Sequence, residues 1–310
     1  MIRFIPTLVA AICVSCGYVG DPLPPALNIP VPVHDLRVVQ HGANLIIEFT
    51  APAMTTDGLA LRRLGGVDLR AGETQVPVDA TEPGPVRLTV PVSTYLGQKV
   101  IFSVRAASHK MKWSDPTATA TVDVIDPVLP PPDVQAAATD GGVLLQWKQG
   151  AVREGQSYRV RRKAPGQDAF MVAAEVKANQ WKDAESVFRQ TYAYSVQALV
   201  GAAESEVSAP VSITPIDTFA PAIPQNVAAV AGIGSVELTW DRGQEPDLSG
   251  YRIYRVEGDA APITIGQVQL GPSYSDKTVR SGVAYRYAVS ALDGVGNESK
   301  PSEWASATAP

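Results

Sequence analysis

The chain is poor in the residues from which most metal and redox sites are built. Its 310 residues include three histidines and two cysteines. His34, His41 and His109 form no HExxH arrangement, and both cysteines, Cys13 and Cys16, precede the main body of the chain. We therefore predict no metal site, no cofactor and no internal disulfide in the body. G-x-S-x-G, P-loop and dinucleotide-binding glycine patterns are also missing, so the sequence does not predict an enzyme.

Charge of one sign is scarce as well. The formal net charge is −5, and basic and acidic residues are nearly balanced along the body. Nucleic acid is not a predicted partner, because no segment has the concentrated basic field that phosphate neutralisation requires. What the chain does contain is 45% hydrophobic residues, 26 prolines and 25 glycines. This composition is typical of packed cores joined by many turns, and it favours an all-β fold.

The N-terminus reads as an export signal. A basic start at Arg3 is followed by an apolar run from Phe4 to Val14, shorter than the roughly 20 residues that span a bilayer. The motif Val14-Ser15-Cys16-Gly17 resembles the lipobox of bacterial lipoproteins, although Cys13 stands where that family usually has leucine. The resemblance implies a signal peptide over residues 1–16 and lipidation of Cys16. Plain secretion, or retention of an uncleaved signal anchor, are the alternatives.

The resemblance also implies a location. With Gly17 after the cysteine, it favours an outer-membrane or cell-surface protein held by its lipid, whereas plain secretion would leave the protein secreted or periplasmic. Residues 17–29 are rich in proline and glycine, including Asp21-Pro22-Leu23-Pro24-Pro25. Such a stretch favours polyproline II and would act as a semi-rigid tether between the membrane and the first domain.

An internal repeat organises the rest of the chain. Alternating apolar strands end in Phe49, Trp147 and Trp240, and a second strand type recurs around Val104, Val196 and Val289, both at a spacing of about 95 residues. Proline-rich connectors separate the repeats. The predicted domains are therefore residues 30–126, 127–216 and 217–310.

The second and third repeats resemble fibronectin type III domains. The matching segments of the third repeat are Pro224-Gln225-Asn226-Val227, Gly250-Tyr251-Arg252-Ile253-Tyr254 and Tyr285-Arg286-Tyr287-Ala288-Val289-Ser290-Ala291. The resemblance implies three tandem immunoglobulin-like β-sandwiches, with Trp147 and Trp240 between the sheets and Tyr192 and Tyr285 as tyrosine corners. The first repeat is degenerate, with Phe49 in place of the tryptophan and Val100 in place of the corner tyrosine.

Three features are candidates for binding, each with a structural alternative. Arg159, Arg161 and Lys163 share a strand face that would suit an anionic ligand, or would solvate an exposed strand. The loop Asp293–Glu298 gathers oxygen ligands suited to calcium, or is an ordinary F–G turn. The loop Lys110–Trp113 presents a tryptophan that would anchor a partner, or would pack on the neighbouring strand.

These observations favour a non-enzymatic envelope lipoprotein that serves as a spacer or protein-interaction arm. The main alternative is a carbohydrate-binding or adhesion protein of the cell surface, and a third hypothesis is an accessory fragment related to carbohydrate-active enzymes. The partners are then the membrane, through the lipid anchor, and an unidentified envelope protein or glycan. A glycan binder is expected to expose two or more aromatic rings on one face, so the exposure of Trp113, Trp181 and Trp304 distinguishes the first two hypotheses.

Overall fold

A computed structural model of the chain describes residues 27–116, 119–150, 152–269 and 271–310. These ranges contain strands, one 3-10 turn at Val92–Thr94 and no α-helix, and no helix among them is long and apolar enough to cross a membrane. The chain divides into two compact units, Met1–Pro127 and Val128–Pro310. The predicted signal with Cys16, and residues 17–26 of the predicted tether, lie outside the described residues.

Seven antiparallel strands form the sandwich of the first unit, sandwich 1. They are β1 (Arg37–His41), β2 (Asn44–Ala51), β3 (Leu64–Ala71), β4 (Thr74–Val76), β5 (Gly84–Pro91), β6 (Lys99–Ser108) and β7 (Ala120–Asp123). One sheet has the order β1-β2-β5 and the other β4-β3-β6-β7. Because side chains alternate between the two faces of a strand, Leu45, Ile47 and Phe49 of β2 all point into the core between the sheets.

The second unit contains two further strand sets. Sandwich 2 comprises β8 (Gln135–Thr139), β9 (Gly142–Gln146), β10 (Gln156–Lys163), β11 (Met171–Val176), β12 (Gln180–Asp183), β13 (Tyr192–Val200), β14 (Ala203–Glu204) and β15 (Val211–Ile213). Its sheets are β8-β9-β12 and β11-β10-β13, and both β14 and β15 pair with β13.

Sandwich 3 closes the described chain. It comprises β16 (Ala228–Ala231), β17 (Val236–Thr239), β18 (Leu248–Glu257), β19 (Ile263–Val268), β20 (Ser273–Asp276), β21 (Ala284–Asp293) and β22 (Ala305–Thr308). Its sheets are β16-β17-β20 and β19-β18-β21-β22. In all three sets the first, second and fifth strands form one sheet and the remaining strands form the other. This is the immunoglobulin-like arrangement of fibronectin type III domains, and the predicted fold of three tandem sandwiches is confirmed.

The marker aromatics occupy the predicted core positions. Trp147 packs edge-on to Tyr158 and Trp240 packs edge-on to Tyr251, each with ring centroids 5.2 Å apart. This is a preferred geometry for aromatic pairs. In sandwich 1, Phe49 is 3% exposed and takes the corresponding place. The same fold is therefore built around a smaller aromatic residue.

Both tyrosine corners form as the resemblance implied. The Tyr192 hydroxyl accepts a hydrogen bond from the Val187 amide at 3.0 Å, and the Tyr285 hydroxyl accepts one from the Arg280 amide at 3.1 Å. Each bond holds the loop before the strand against the strand itself. In sandwich 1 the buried Val100 stands at this position and fills the core without a hydroxyl.

A charged bridge between the sheets recurs in sandwiches 2 and 3. In sandwich 2, Arg162 of β10 donates to Asp183 of β12 at 2.8 Å, and the Tyr194 hydroxyl donates to the same carboxylate at 2.7 Å. Arg255, Asp276 and Tyr287 repeat the arrangement in sandwich 3. Burial is the main cause that raises the pKa of the tyrosine hydroxyl in both bridges, followed by the neighbouring carboxylate. Each bridge crosses the sandwich, because the arginine and the aspartate belong to different sheets.

Candidate functional site

The outward face of the larger sheet carries the polar clusters of each sandwich. On β10, Tyr158 and Val160 point inward, so Arg159 and Arg161 point outward. Arg159 donates to Glu175 at 2.7 Å and to Glu204 at 2.9 Å, and these hydrogen bonds, to Glu204 first, raise the pKa of its guanidinium. The predicted basic face is therefore largely neutralised within the sandwich.

The position of β10 in its sheet differs from the alternative in which its charges solvate an exposed strand. The strand β10 pairs with β11 on one edge and β13 on the other, so it is a central strand and not an exposed one. The charges at Arg159, Arg161 and Lys163 do not protect an open edge. Two of them face polar groups of the adjacent strands instead, since Arg161 lies 3.5 Å from the Gln197 amide oxygen.

In sandwich 3 the corresponding arginine is also neutralised by a glutamate. Arg252, which follows Tyr251 as Arg159 follows Tyr158, pairs with Glu298. The Glu298 carboxylate also accepts hydrogen bonds from Tyr254 and from Ser290, the latter at 2.6 Å. Burial alone would raise the pKa of Glu298, but these hydrogen bonds and the Arg252 charge outweigh it and lower the pKa. The outer face of sandwich 3 is thus also charge-balanced.

A serine that follows the turn after β6, β13 and β21 shows which residues of the three sandwiches correspond. Ser205 Oγ accepts from the Ala198 amide and Ser299 Oγ from the Ala291 amide, both at 2.9 Å. Ser114 Oγ accepts from the Ala106 amide at 3.2 Å in sandwich 1. The residue before this serine is Glu204 in sandwich 2, Glu298 in sandwich 3 and Trp113 in sandwich 1.

Sandwich 1 consequently has a different cluster at this place. Asp68 of β3 is 6% exposed. It accepts hydrogen bonds from Arg105 Nε at 2.9 Å and from Arg70 Nε at 3.2 Å. The Arg105 guanidinium carbon lies 4.8 Å from the centroid of the Trp113 ring, a cation–π distance. We call Asp68, Arg70, Arg105 and Trp113 the Arg70–Arg105 cluster.

The cluster presents unused donors to a shallow surface cavity. A volume of about 270 Å³ is lined by Asp68, Arg70, Ser103, Val104, Arg105 and Pro116. The side chains of Arg70 and Arg105 are 43% and 38% exposed. Arginine has five N–H donors, and Arg70 directs only Nε to Asp68 among the described residues. Its outer donors are therefore held in place and available to a planar anion such as a carboxylate.

Sequence reasoning did not identify this cluster. Arg70 and Arg105 are 35 residues apart in the chain and come together because β3 pairs with β6, which sets Asp68 opposite Arg105. The alternation Asp68-Leu69-Arg70, which puts both charged side chains on the same face of β3, is the signal that the sequence contains. The predicted loop Lys110–Trp113 lies beside it, but Trp113 is only partly exposed and its ring packs over Gly66. This supports the alternative in which the tryptophan packs on the neighbouring strand.

The loop Asp293–Glu298 is a self-satisfied turn. Asp293 Oδ1 accepts from the backbone amides of Val295, Gly296 and Asn297 at 2.7 to 3.0 Å, and the Asn297 side-chain amide donates to Oδ2 at 2.7 Å. These bonds, that of the Asn297 side chain first, lower the pKa of Asp293 against the opposing effect of burial. Carboxylate oxygens of Asp217, Asp247 and Asp293 lie within 4.8 Å of one another. The charge of Asp293 is already compensated by hydrogen bonds, so the ordinary-turn alternative accounts for the loop.

The aromatic side chains separate into buried and exposed sets. Trp181 is partly buried, with its ring centroid 6.4 Å from that of Tyr194. Trp304 is 38% exposed, and it is the most exposed aromatic residue in the described part of the chain. It lines a groove of about 420 Å³ together with Gln225, Asn226 and Glu303. The described residues therefore present one exposed ring, where an extended glycan platform was expected to present two or more.

Comparison with known proteins gives partial relatives. No family model matches the chain. It is 42% identical over 88 residues to Amylopullulanase of Thermoanaerobacterium saccharolyticum, covering 28% of this chain and 7% of that enzyme. It is 28% identical over 155 residues to Exoglucanase B of Cellulomonas fimi, covering 46% of this chain and 14% of that enzyme. The chain thus corresponds to a small part of these enzymes.

Two solved structures that are similar to this chain contain fibronectin type III domains. The FN1-FN3 domains of chicken CNTN1 align with 90% of this chain and 99% of theirs at 15% identity and a TM-score of 0.32. An Fn3-like protein from Clostridium thermocellum aligns with 30% of this chain and 96% of its own at 29% identity and a TM-score of 0.26.

Proposed function

We propose that this chain is a non-enzymatic cell-envelope lipoprotein that acts as a spacer or protein-interaction arm. The resemblance of Val14-Ser15-Cys16-Gly17 to a lipobox supports the anchor, and a lipid on Cys16 would hold the protein at the outer membrane or cell surface. Two acyl chains would hold it firmly, because each buried CH₂ contributes about 0.8 kcal/mol. The relatives support a module without catalysis of its own, since the matched segments are 7% and 14% of the two enzymes.

The observation that carries the proposal is the connector between sandwiches 2 and 3. The Pro215 carbonyl accepts a hydrogen bond from the Arg189 amide of sandwich 2 at 2.8 Å. Asp217 accepts one from the Asn297 side chain of sandwich 3 at 3.3 Å. Proline fixes its own φ, so a connector bonded to both neighbours restricts bending between them. Restricted bending is the property that a spacer requires.

Metabolic labelling tests the anchor. The full chain, expressed in bacteria with a palmitate analogue, is expected to take up label, and Cys16→Ser is expected to lose it. Cys13→Ser is the matched control, because it alters the other cysteine of the same segment and keeps the acceptor. Label retained by Cys16→Ser, or lost equally from both variants, would contradict the assignment. Crosslinking in intact cells tests the function as a protein-interaction arm, and we expect this experiment to capture a protein partner.

A carbohydrate-binding function is the second candidate, and the exposed Trp304 favours it. An exposed indole beside amide and carboxylate side chains suits a sugar ring, and the names amylopullulanase and exoglucanase point to polysaccharides. Affinity electrophoresis in gels containing pullulan or soluble cellulose derivatives measures this. Retardation that Trp304→Ala abolishes, and that Ile233→Ala keeps, would support it; Ile233 is fully exposed elsewhere in sandwich 3. Equal mobility with and without polysaccharide would count against it.

A further inference from the structure

The geometry of the Arg70–Arg105 cluster points to a docking site for the carboxylate side chains of an acidic segment on a partner protein. This inference rests on the proposed function as a protein-interaction arm and assigns that arm a surface. The surface is the outer face of the sheet β4-β3-β6-β7 in sandwich 1.

The three sandwiches differ in the charged residues at this surface position. In sandwiches 2 and 3 the residue before the turn serine is a glutamate that binds the arginine of the facing strand. In sandwich 1 the glutamate is replaced by Trp113 and the strand arginine by Asp68. The neutralising carboxylate has moved to the buried base of the cluster, and two guanidiniums remain toward solvent. At this surface position the arginine is bound by a glutamate of its own sandwich in sandwiches 2 and 3, whereas in sandwich 1 two guanidiniums are accessible to a partner.

The cluster and the residues around it carry an excess of basic side chains. Within the cluster one carboxylate faces two guanidiniums, which leaves one positive charge. The pairing of Leu64 with Ser108 puts Arg62 and Arg63 next to the turn that contains Lys110 and Lys112, and all four are exposed. The one acidic side chain in the segment that follows, Asp115, is also exposed. These exposed basic side chains make this end of sandwich 1 locally positive, which favours an acidic partner and speeds its association.

The state of Trp113 decides between a protein and a glycan. Arg105 covers one face of the indole at 4.8 Å, and a sugar ring would need that face for stacking. Arginine and tryptophan are the residue types enriched at the centres of protein interfaces. Arg70, held at Nε by the buried Asp68, loses less conformational entropy on binding a carboxylate than a free arginine would. These features favour an acidic protein segment over an acidic polysaccharide.

Binding of a fluorescein-labelled peptide of alternating glutamate and glycine to the purified full chain tests the site. Fluorescence anisotropy at low salt is expected to show binding that weakens as salt increases, because the contact is ionic. Arg70→Gln should weaken it about tenfold or more, since a hydrogen bond to a charged group is lost. Arg70→Lys keeps the charge but not the planar guanidinium, so its affinity for the peptide should lie between those of the wild-type chain and Arg70→Gln. Arg87→Gln is the matched control, because Arg87 is an exposed arginine of the same sandwich that pairs with Glu48.

Each outcome has one meaning. Thermal unfolding of every variant verifies that the fold is kept; if Arg70→Gln unfolds, Arg70→Lys carries the comparison. Loss of binding in Arg70→Gln with binding kept in Arg87→Gln supports the site. Equal affinities of these two variants, no binding to the wild-type chain, or stronger binding of polygalacturonate at the same residues would overturn it. In intact cells, a crosslinked partner captured equally by wild type and Arg70→Gln would overturn the site but keep the arm, whereas no partner for either would overturn the arm.

Discussion

The buried carboxylate of Asp276 offers the most direct test of what holds a sandwich together. It lies at the end of β20 and is 1% exposed. Arg255 Nη1 donates to it at 2.8 Å and the Tyr287 hydroxyl at 3.1 Å. The Thr278 amide and hydroxyl donate to its other oxygen at 2.9 and 2.7 Å. Asp276→Ala removes the acceptor for four donors and leaves the Arg255 guanidinium without its counter-charge.

The expected cost follows from these contacts. Removing one partner of a buried ion pair costs about 3–5 kcal/mol. The Arg255 side chain is 14% exposed and also stacks at 5.0 Å over the Tyr285 ring, so it keeps part of its stabilisation. We therefore expect the lower end of that range, about 3 kcal/mol.

Hydrogen exchange of the full chain, measured by mass spectrometry, localises the effect to sandwich 3. Peptides covering β21 should exchange about a hundredfold faster in Asp276→Ala, which corresponds to about 3 kcal/mol. Asp241→Ala is the control, because Asp241 is exposed and hydrogen-bonds Asn226 at the surface; a change within about 0.5 kcal/mol is expected. The double variant Arg255→Leu with Asp276→Ala should recover part of the loss. A change below about 1 kcal/mol in Asp276→Ala would refute the reasoning.

The same carboxylate predicts an acid dependence of stability. Burial acts to raise the pKa of Asp276, but hydrogen bonds from Thr278, Arg255 and Tyr287 outweigh it and hold the pKa below the ordinary value of 3.8. A group with a depressed folded pKa contributes stability that is complete above its unfolded pKa and is lost as pH falls through the folded pKa. Sandwich 3 should therefore lose this contribution below about pH 4, and urea unfolding of Asp276→Ala should lack that component.

Three further substitutions test local geometry. Tyr285→Phe removes the acceptor for the Arg280 amide and should cost about 1 kcal/mol, seen as faster exchange at Arg280; unchanged exchange there would show that the corner contributes nothing. Gly142→Ala should cost more than about 2 kcal/mol in thermal unfolding, because φ is +122° and the added Cβ would lie 2.1 Å from the Asp183 carbonyl oxygen. Gly155→Ala, at φ +71° with no atom within 4 Å, should cost about 1 kcal/mol, and equal losses in both would contradict the steric argument.

The fold could be predicted from the sequence where the signal is local. Alternation in Leu45-Ile46-Ile47-Glu48-Phe49 predicts one buried face, and that face is buried. Trp147 and Tyr192 lie where the repeat and the resemblance put them, because the tertiary position of a core residue follows directly from its place in a strand. The lipidation of Cys16 stays a prediction, since the described residues begin after it.

The charged bridges could not be predicted, because their partners lie on opposite sheets. The run Tyr158–Lys163 indicates a basic strand, yet its arginines have different fates. Arg159 points outward to glutamates, while Arg162 points inward and binds the buried Asp183 of β12, 21 residues away. Strand parity assigns a side chain to a face, but it does not identify the residue that waits across the sandwich.

The outer-face clusters differ for a related reason, and here a usable signal was present. Ser114, Ser205 and Ser299 make the same side-chain hydrogen bond to the facing strand. Aligning the repeats on this serine sets Trp113 against Glu204 and Glu298, and sets Asp68 against Arg159 and Arg252. Aligning them on core aromatics alone leaves the exchange invisible, because the core is what the three sandwiches share. The surface position where the repeats differ in charge is therefore the place to look for a function that they do not share.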